Sequence, residues 1–311
     1  MTIRECADYL KNNDGFLILS HIRPDGDTLG SCAALAHALT RMGKSAWMYP
    51  NEEVTETLRP FVEPYFAPEG YQAQTVLSVD VASEQMLIGN REWKVDLCID
   101  HHPSNSHYAE ETCVIPERAS CGEIVLDVIS ELLGGPDYEE AQLLYIAVST
   151  DTGCFCYSNT NSDTFRSAAA LLDAGAQLDS LNQLLFRKTS VARLRLEGMI
   201  YSAMTFHFDN RVSVAVVSRE MLDRAGATED DCSDLANLAG RAREAVVCIT
   251  IREVGENVSK LSLRSSSSVN VSEICSQFGG GGHAMAAGCT MQCSLKEAKS
   301  RILNAVEPKL P

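Results

Sequence analysis

Positive charge is what this chain of 311 residues most conspicuously lacks: 26 Lys and Arg stand against 42 Asp and Glu, a formal net charge of −16. Proteins that grip long nucleic acids displace counterions with a basic footprint, so that class is excluded. The chain also lacks any two cysteines at the CxxC spacing of a structural zinc site, although it has twelve. Most of them sit in apolar runs such as Asp96-Leu97-Cys98-Ile99. That suits small buried hydrophobes in a reducing cytoplasm better than a disulfide framework. No stretch approaches the roughly 18 apolar residues of a membrane span. Residues 1–10 hold an acid and no long apolar core, so neither export nor lipid anchoring is expected. No internal repeat is visible. What remains, 45% hydrophobic and 22% charged, is a folded globular chain long enough for one large domain or two ordinary ones. Its acidity has two readings: a soluble, self-repelling surface, or carboxylates gathered around metal ions.

Strand-like and helix-like segments alternate through the first half. Apolar strands are expected at 15–20, 75–79 and 95–99, and helices at 4–12, 28–42, 121–133, 138–150 and 162–174. Alternation of this kind implies βαβ units and a mostly parallel sheet covered on both faces. Beyond about residue 185 the pattern changes to strands at 211–217, 245–253 and 258–264, a short helix at 272–278 and a final helix at 295–306. A serine run at 265–268 is too short for a disordered linker. The glycines at 279–282 are expected to open a helix or a tight loop. The expected organisation is a larger α/β domain over 1–188, a helical connector over 189–204 and a smaller α/β domain over 205–311.

Four polar clusters interrupt this pattern. His21-Ile22-Arg23-Pro24-Asp25-Gly26-Asp27 places one imidazole and two carboxylates on a loop between a strand and a helix. Alone it reads equally as a polar turn. Asp80 ends the 75–79 strand, where an aspartate is ordinarily a helix cap, here for a segment from Ala82. Asp100-His101-His102-Pro103 ends the 95–99 strand, and two adjacent imidazoles cannot both turn into one apolar face. Thr150-Asp151-Thr152-Gly153 closes an apolar helix, where the macrodipole opposes a carboxylate. Three of these clusters lie at strand ends, so a parallel sheet brings them to one rim. Asp25, Asp27, Asp80 and Asp151 could not all stay ionised there without cations. An oxygen-rich set with imidazoles suits Mn²⁺, or Mg²⁺, and six side chains are enough for two ions about 3.5–4 Å apart.

In order and character these segments resemble the four metal motifs of the DHH phosphoesterase superfamily, named for residues that here are Asp100-His101-His102. Gly279-Gly280-Gly281-Gly282-His283, followed by Ala286-Ala287-Gly288, resembles the glycine-rich signature of the DHH-associated domain. The resemblance implies a Rossmann-like N-terminal domain, a DHH-associated substrate domain, and two divalent cations. It implies that His21 and Asp25 bind one ion, Asp27 and His101 the other, and that Asp80 and Asp151 reach both. Asp100 would orient the neighbouring imidazole, and His102 would contact the scissile phosphate or act as acid toward the leaving oxygen. In the substrate domain Arg264, Gly280, Gly281, Gly282 and His283 would hold substrate. Consecutive glycines also let backbone N–H groups converge on an anion. Phe155 and Tyr157 offer rings that could stack a base or belong to the core.

With only these two domains, the chain is similar to the nanoRNase type, which cleaves very short oligonucleotides and 3′-phosphoadenosine-5′-phosphate. Two alternatives stand beside it: a stand-alone phosphodiesterase of cyclic-di-AMP or linear dinucleotides, and a nucleotide sensor without catalysis. The expected ligands are short oligonucleotides or bisphosphorylated nucleotides, with no long nucleic acid and no membrane. The oligomeric state is left open.

Overall fold

The apolar strands of the first half assemble, in the computed structural model of the chain, into a parallel sheet of five strands. The structure describes residues 1–89, 93–232, 235–266 and 269–311; Ser267 and Ser268 of the serine run lie outside the described residues. Two units are present, Met1–Lys188 and Thr189–Pro311.

The first unit runs α1 (Ile3–Asn12), β1 (Phe16–Leu19), α2 (Gly26–Arg41), β2 (Ala46–Met48), α3 (Arg59–Val62), β3 (Thr75–Val79), β4 (Leu97–Asp100) and β5 (Glu111–Val114). It continues through α4 (Cys121–Leu133), α5 (Tyr138–Asp151), α6 (Ser162–Asp173) and α7 (Leu178–Asn182). The strand order is β2-β1-β3-β4-β5, every pair parallel. β1 and β4 are buried along their whole length, which is why β1 and the Leu97–Ile99 stretch of β4 read as unbroken apolar runs. The two strands absent from the sequence reading, β2 and β5, are the edges. One has three residues, and the other is half polar. The order reverses between β1 and β3, so the loops leaving them diverge and open a crevice at the strands' carboxyl ends.

Helix α2 begins two residues earlier than expected, because the Asp25 carboxylate accepts the Thr28 N–H at 3.0 Å and caps it. The helix is buried almost throughout and packs against α4 and α5. Close approach depends on two missing side chains. A Cβ on Gly30 would stand 2.3 Å from the Leu143 carbonyl oxygen, and one on Gly122 would stand 2.6 Å from the Ala147 Cβ. These contacts bring the start of α2, the start of α4 and the end of α5 together.

The second unit contains α8 (Val191–Ala203), β6 (Thr205–His207), β7 (Val212–Val217), α9 (Arg219–Ala225), β8 (Val247–Gly255) and β9 (Val258–Ser265). α10 (Val271–Ser276), β10 (Gly281–His283), β11 (Ala286–Met291) and α11 (Leu295–Val306) complete it. Its sheet runs β10-β11-β9-β8-β7-β6, with β7 and β8 parallel and the other pairs antiparallel. Val247, Ile249 and Ile251 of β8 and Leu261 and Leu263 of β9 share a core with Ile274 of α10 and Ala298 and Ile302 of α11. Alternate residues of the same strands face the other way. Leu196 and Ile200 of α8, in the segment expected as a connector, pack on Ala215 and Val217 of β7 and Leu222 of α9. Among the described residues no helix is long and apolar enough to cross a membrane.

One local expectation is overturned in part. The glycine run opens no helix: Gly279, left-handed at φ 73°, turns the chain after α10 as a tight loop would, but Gly281 and Gly282 enter strand β10, paired with β11 through Gly281 opposite Gly288 and His283 opposite Ala286. The glycines permit this pairing. A Cβ on Gly280 would meet the Gly288 oxygen at 2.2 Å, and one on Gly282 the Ala286 oxygen at 2.6 Å.

Candidate metal centre

Four of the sequence clusters meet at the crevice of the first unit. Asp27 lies in the first turn of α2, almost wholly buried at 1% exposed. Its carboxylate accepts the backbone N–H groups of Cys121 at 2.7 Å and Gly122 at 2.9 Å, the first residues of α4. It therefore sits at the positive ends of two helix dipoles. Even so, burial first, then the neighbouring Asp151 and Asp25, push its carboxyl well above the ordinary range.

Asp80 is no helix cap. It adopts the left-handed region at φ 61°, a conformation non-glycine residues hold only where their surroundings enforce it. The turn aims its side chain into the crevice, where Thr28 Oγ1 donates to Asp80 Oδ2 at 2.6 Å. The other oxygen, Oδ1, is buried and finds no hydrogen-bond donor among the described residues. Burial, with Asp27 and Asp25 nearby, pushes this carboxyl well up as well.

His101 carries the most direct statement about a cation. Its Nδ1 lies 3.2 Å from the Arg118 carbonyl oxygen. A carbonyl can only accept, so Nδ1 holds a proton and the ring turns Nε2 into the crevice. Nε2 stands 3.5 Å from Asp80 Oδ1, 3.8 Å from Asp27 Oδ2 and 3.9 Å from Asp151 Oδ2. Three carboxylate oxygens converging on one ring nitrogen repel one another unless positive charge, a metal ion or a second proton on the ring, lies between them. The donor set thus fits a divalent cation on its own chemistry. Three groups in the crevice have ligand atoms mutually within 4.8 Å: His21 with Asp25 and Asp80, Asp27 with His101 and Asp151, and Asp80 with His101 and His102. His21 Nε2 is 3.9 Å from Asp25 Oδ2, and burial lowers the imidazole pKa, which favours the neutral ring that ligands require.

Asp100 serves a different imidazole from the neighbouring His101. Its Oδ1 accepts from His102 Nδ1 at 2.7 Å and from the His101 backbone N–H at 2.8 Å, and Asn105 donates to Oδ2 at 2.6 Å. Burial pushes Asp100 up, but these hydrogen bonds prevail and hold it below its usual value. The same bond raises His102. Asp151, the last residue of α5, is followed by three left-handed residues, Gly153, Cys154 and Phe155. Phe155 packs against the core between Tyr145 and Phe165, whereas Tyr157 is exposed.

Several partners escaped the sequence reading. Thr28, Ser31, Asn105, Arg118 and Asn159 each touch a residue of the crevice. Thr28 and Ser31 follow Asp25 and Asp27 by three and four residues, a spacing that could have suggested them. Asn159 ties the Asp151 carbonyl (3.1 Å) and carboxylate (3.4 Å) to the Ala119 carbonyl (3.0 Å), and nothing local announces that. A fourth group, His37, Asp137 and Glu140, is also close, but Arg41 already lies 3.3 Å from Asp137 and 2.7 Å from Glu140. It is an ion-pair network at the cap of α5.

In the second unit, Arg264 is half-buried and His283 exposed. Register places His283, Ala286 and Arg264 in one row across β10, β11 and β9, and Gly281, Gly288 and Ser262 in the next. Facing residues of antiparallel strands share a face, so Arg264 and His283 look out on the same side.

Residues 15–148 match the DHH family N-terminal domain and residues 209–310 the DHHA1 domain. The bifunctional oligoribonuclease and PAP phosphatase NrnA of Thermus thermophilus is 33% identical over 99% of this chain and 94% of its own. The chain belongs to the DHH family. It is thereby a phosphoesterase, a hydrolase of a class that uses divalent metals. The Bacillus subtilis protein of the same description is 24% identical to this DHH chain, over 89% of it and 90% of the relative. In fold, the DHH chain matches an exopolyphosphatase-related protein of Bacteroides fragilis with a TM-score of 0.88 and 24% identity, over 98% of this chain and 95% of that one.

Proposed function

We propose that this DHH chain hydrolyses very short oligoribonucleotides to mononucleotides, and 3′-phosphoadenosine-5′-phosphate to AMP, with two divalent cations, Mn²⁺ foremost. The observation that carries the reading is the convergence of three carboxylates on His101 Nε2, beside a second group of His21, Asp25 and Asp80. His21 and Asp25 would hold one ion and Asp27 and His101 the other, with Asp80 and Asp151 reaching both. Ions bound there would polarise phosphoryl oxygens and make water a nucleophile at neutral pH. The chain's own part is orientation and proton handling. Asp27 is fixed by the N–H groups of α4, and His101 is fixed in one tautomer by Arg118. Asp100 holds the proton on His102 Nδ1, which leaves Nε2 as the atom that would meet the scissile phosphate or protonate the leaving oxygen.

Arg264, Gly280, Gly281, Gly282 and His283 are assigned to substrate, supported by the common face of Arg264 and His283. The net charge of −16 favours short ligands held by a few local donors over long polymers. Twelve free thiols, ten of them buried, accord with a reducing cytoplasm. Turnover of a pentaribonucleotide, a dinucleotide, 3′-phosphoadenosine-5′-phosphate and cyclic-di-AMP with Mn²⁺ tests the reading. The first three should be cleaved, and Asp151→Ala or His101→Ala should abolish cleavage in a chain that keeps its circular dichroism. Cleavage confined to cyclic-di-AMP and the dinucleotide would favour the phosphodiesterase alternative. Binding without cleavage of any would make the chain a sensor.

A further inference from the structure

The outward face of the second unit's sheet carries more cations than Arg264. On β8 and β9 the residues turned away from the core shared with α10 and α11 are Cys248, Thr250, Arg252, Lys260, Ser262 and Arg264. Register sets Thr250 opposite Ser262 and Arg252 opposite Lys260. Helices α8 and α9 share their core with β7 and Cys248. Beyond them lies a cleft of about 240 Å³ whose lining includes Asn237, Thr250, Arg252, Lys260, Ser262 and Arg264. Three cations and several neutral polar groups line it, and no carboxylate does among the described residues. In a chain with 42 acidic residues against 26 basic ones, that concentration calls for an anion.

The far end of the cleft is built for a second anionic group. Arg252 and Lys260 face each other across antiparallel strands, with Cβ atoms about 5 Å apart, so both can reach one phosphate. Among the described residues Arg252 pairs with one carboxylate, that of Glu229, whose side chain is 62% exposed. An exposed pair of that kind is weak and readily exchanged. The buried Nε of Arg252 has no acceptor among the described residues. Along β9, Lys260 and Arg264 are four residues apart, about 13–14 Å at the rise of an antiparallel strand. The Ser262 and Thr250 hydroxyls lie between them. Guanidinium groups grip phosphate through paired donors, and ammonium groups do so as point charges.

We propose that Arg252 and Lys260 form a second phosphate subsite, which holds a later phosphate of an oligonucleotide whose first phosphate lies at Arg264. This rests on the assignment of Arg264 to substrate. It makes the cleft a gauge of length: a chain of nucleotides spans both ends, whereas a single bisphosphorylated nucleoside engages Arg264 and gains little from the far end.

Equilibrium binding of a pentaribonucleotide and of 3′-phosphoadenosine-5′-phosphate to the full chain in EDTA, across a range of salt, tests it. In the Arg252→Gln, Lys260→Gln double variant, Kd for the pentanucleotide should rise about tenfold more than Kd for the bisphosphate. The slope of log Kd against log salt should fall by about 1.4, as for two lost contacts to a single strand. Lys260→Gln alone, at an exposed side chain, should lower that slope by about 0.7, and Lys260→Arg should restore it. Equal losses for both ligands, or an unchanged slope for the pentanucleotide, would overturn the subsite. A wild-type chain that binds with this charge dependence but cleaves nothing in Mn²⁺ would refute the hydrolase reading and leave the subsite standing.

Discussion

Asp80→Asn separates a metal centre from a merely crowded turn, because the two states of the protein should respond in opposite directions. The Asp80 side chain is 3% exposed, its Oδ1 lacks a donor, and Asp27 and Asp25 are near. Its carboxyl is raised by burial and by these neighbours. A raised carboxyl binds its proton better folded than unfolded, so it weakens the metal-free fold at pH 7; the penalty shrinks as pH falls through the raised folded value and is gone below the unfolded value of 3.8. Asn removes the charge, can still accept from Thr28 and tolerates φ 61°. The metal-free variant should therefore melt above the metal-free wild type. With Mn²⁺ at a hundred times Kd, binding stabilises by about 2.7 kcal/mol. At roughly 2–4 °C per kcal/mol for a unit of this size, wild-type Tm rises by about 5–11 °C. The variant, deprived of a carboxylate that belongs to two of the three ligand groups of the crevice, should gain less than half of that. Scanning calorimetry with EDTA and with Mn²⁺ reads both. A metal-free variant that melts lower, or an equal Mn²⁺ shift in both chains, would refute the reasoning.

Asn159→Ala should lower Mn²⁺ affinity about 10–100-fold by loosening Asp151, as isothermal titration would show; unchanged affinity would reduce Asn159 to a tie between loops. Gly30→Ala should cost about 1–3 kcal/mol in urea unfolding, since the new Cβ meets a backbone oxygen of α5 that cannot swing aside. A negligible cost would mean that α2 and α5 are not held at this separation. Asp14 accepts the Gly15 N–H at 2.7 Å and the Ser45 N–H at 2.8 Å, and these bonds hold its carboxyl below 3.8. Its contribution is present above pH 3.8 and lost as pH falls through the lowered folded value. Asp14→Ala should therefore flatten the acid limb of the stability profile, and a parallel shift at every pH would contradict this.

Much of this protein was legible in the order of its residues. The α/β alternation follows from periodicity among near neighbours. The residue types of the crevice stand in four contiguous motifs, three of them at strand ends. Edge strands were invisible because short or half-polar segments carry little periodic signal. The start of α2 was misplaced because a capping aspartate lies inside the motif itself.

The local sequence determined which groups could bind metal and phosphate, since covalent neighbours stay neighbours in any fold. Tertiary structure alone decided how they are used. It aimed two N–H groups of α4 at Asp27 from more than ninety residues away. It gave Asp100 to His102 while the Arg118 carbonyl fixed His101, and turned the glycine run into an edge strand in register with Arg264. It also set Arg252 against Lys260. Each of these depends on how closely helices approach and on which strands pair, quantities that packing between distant segments sets and that no local pattern encodes.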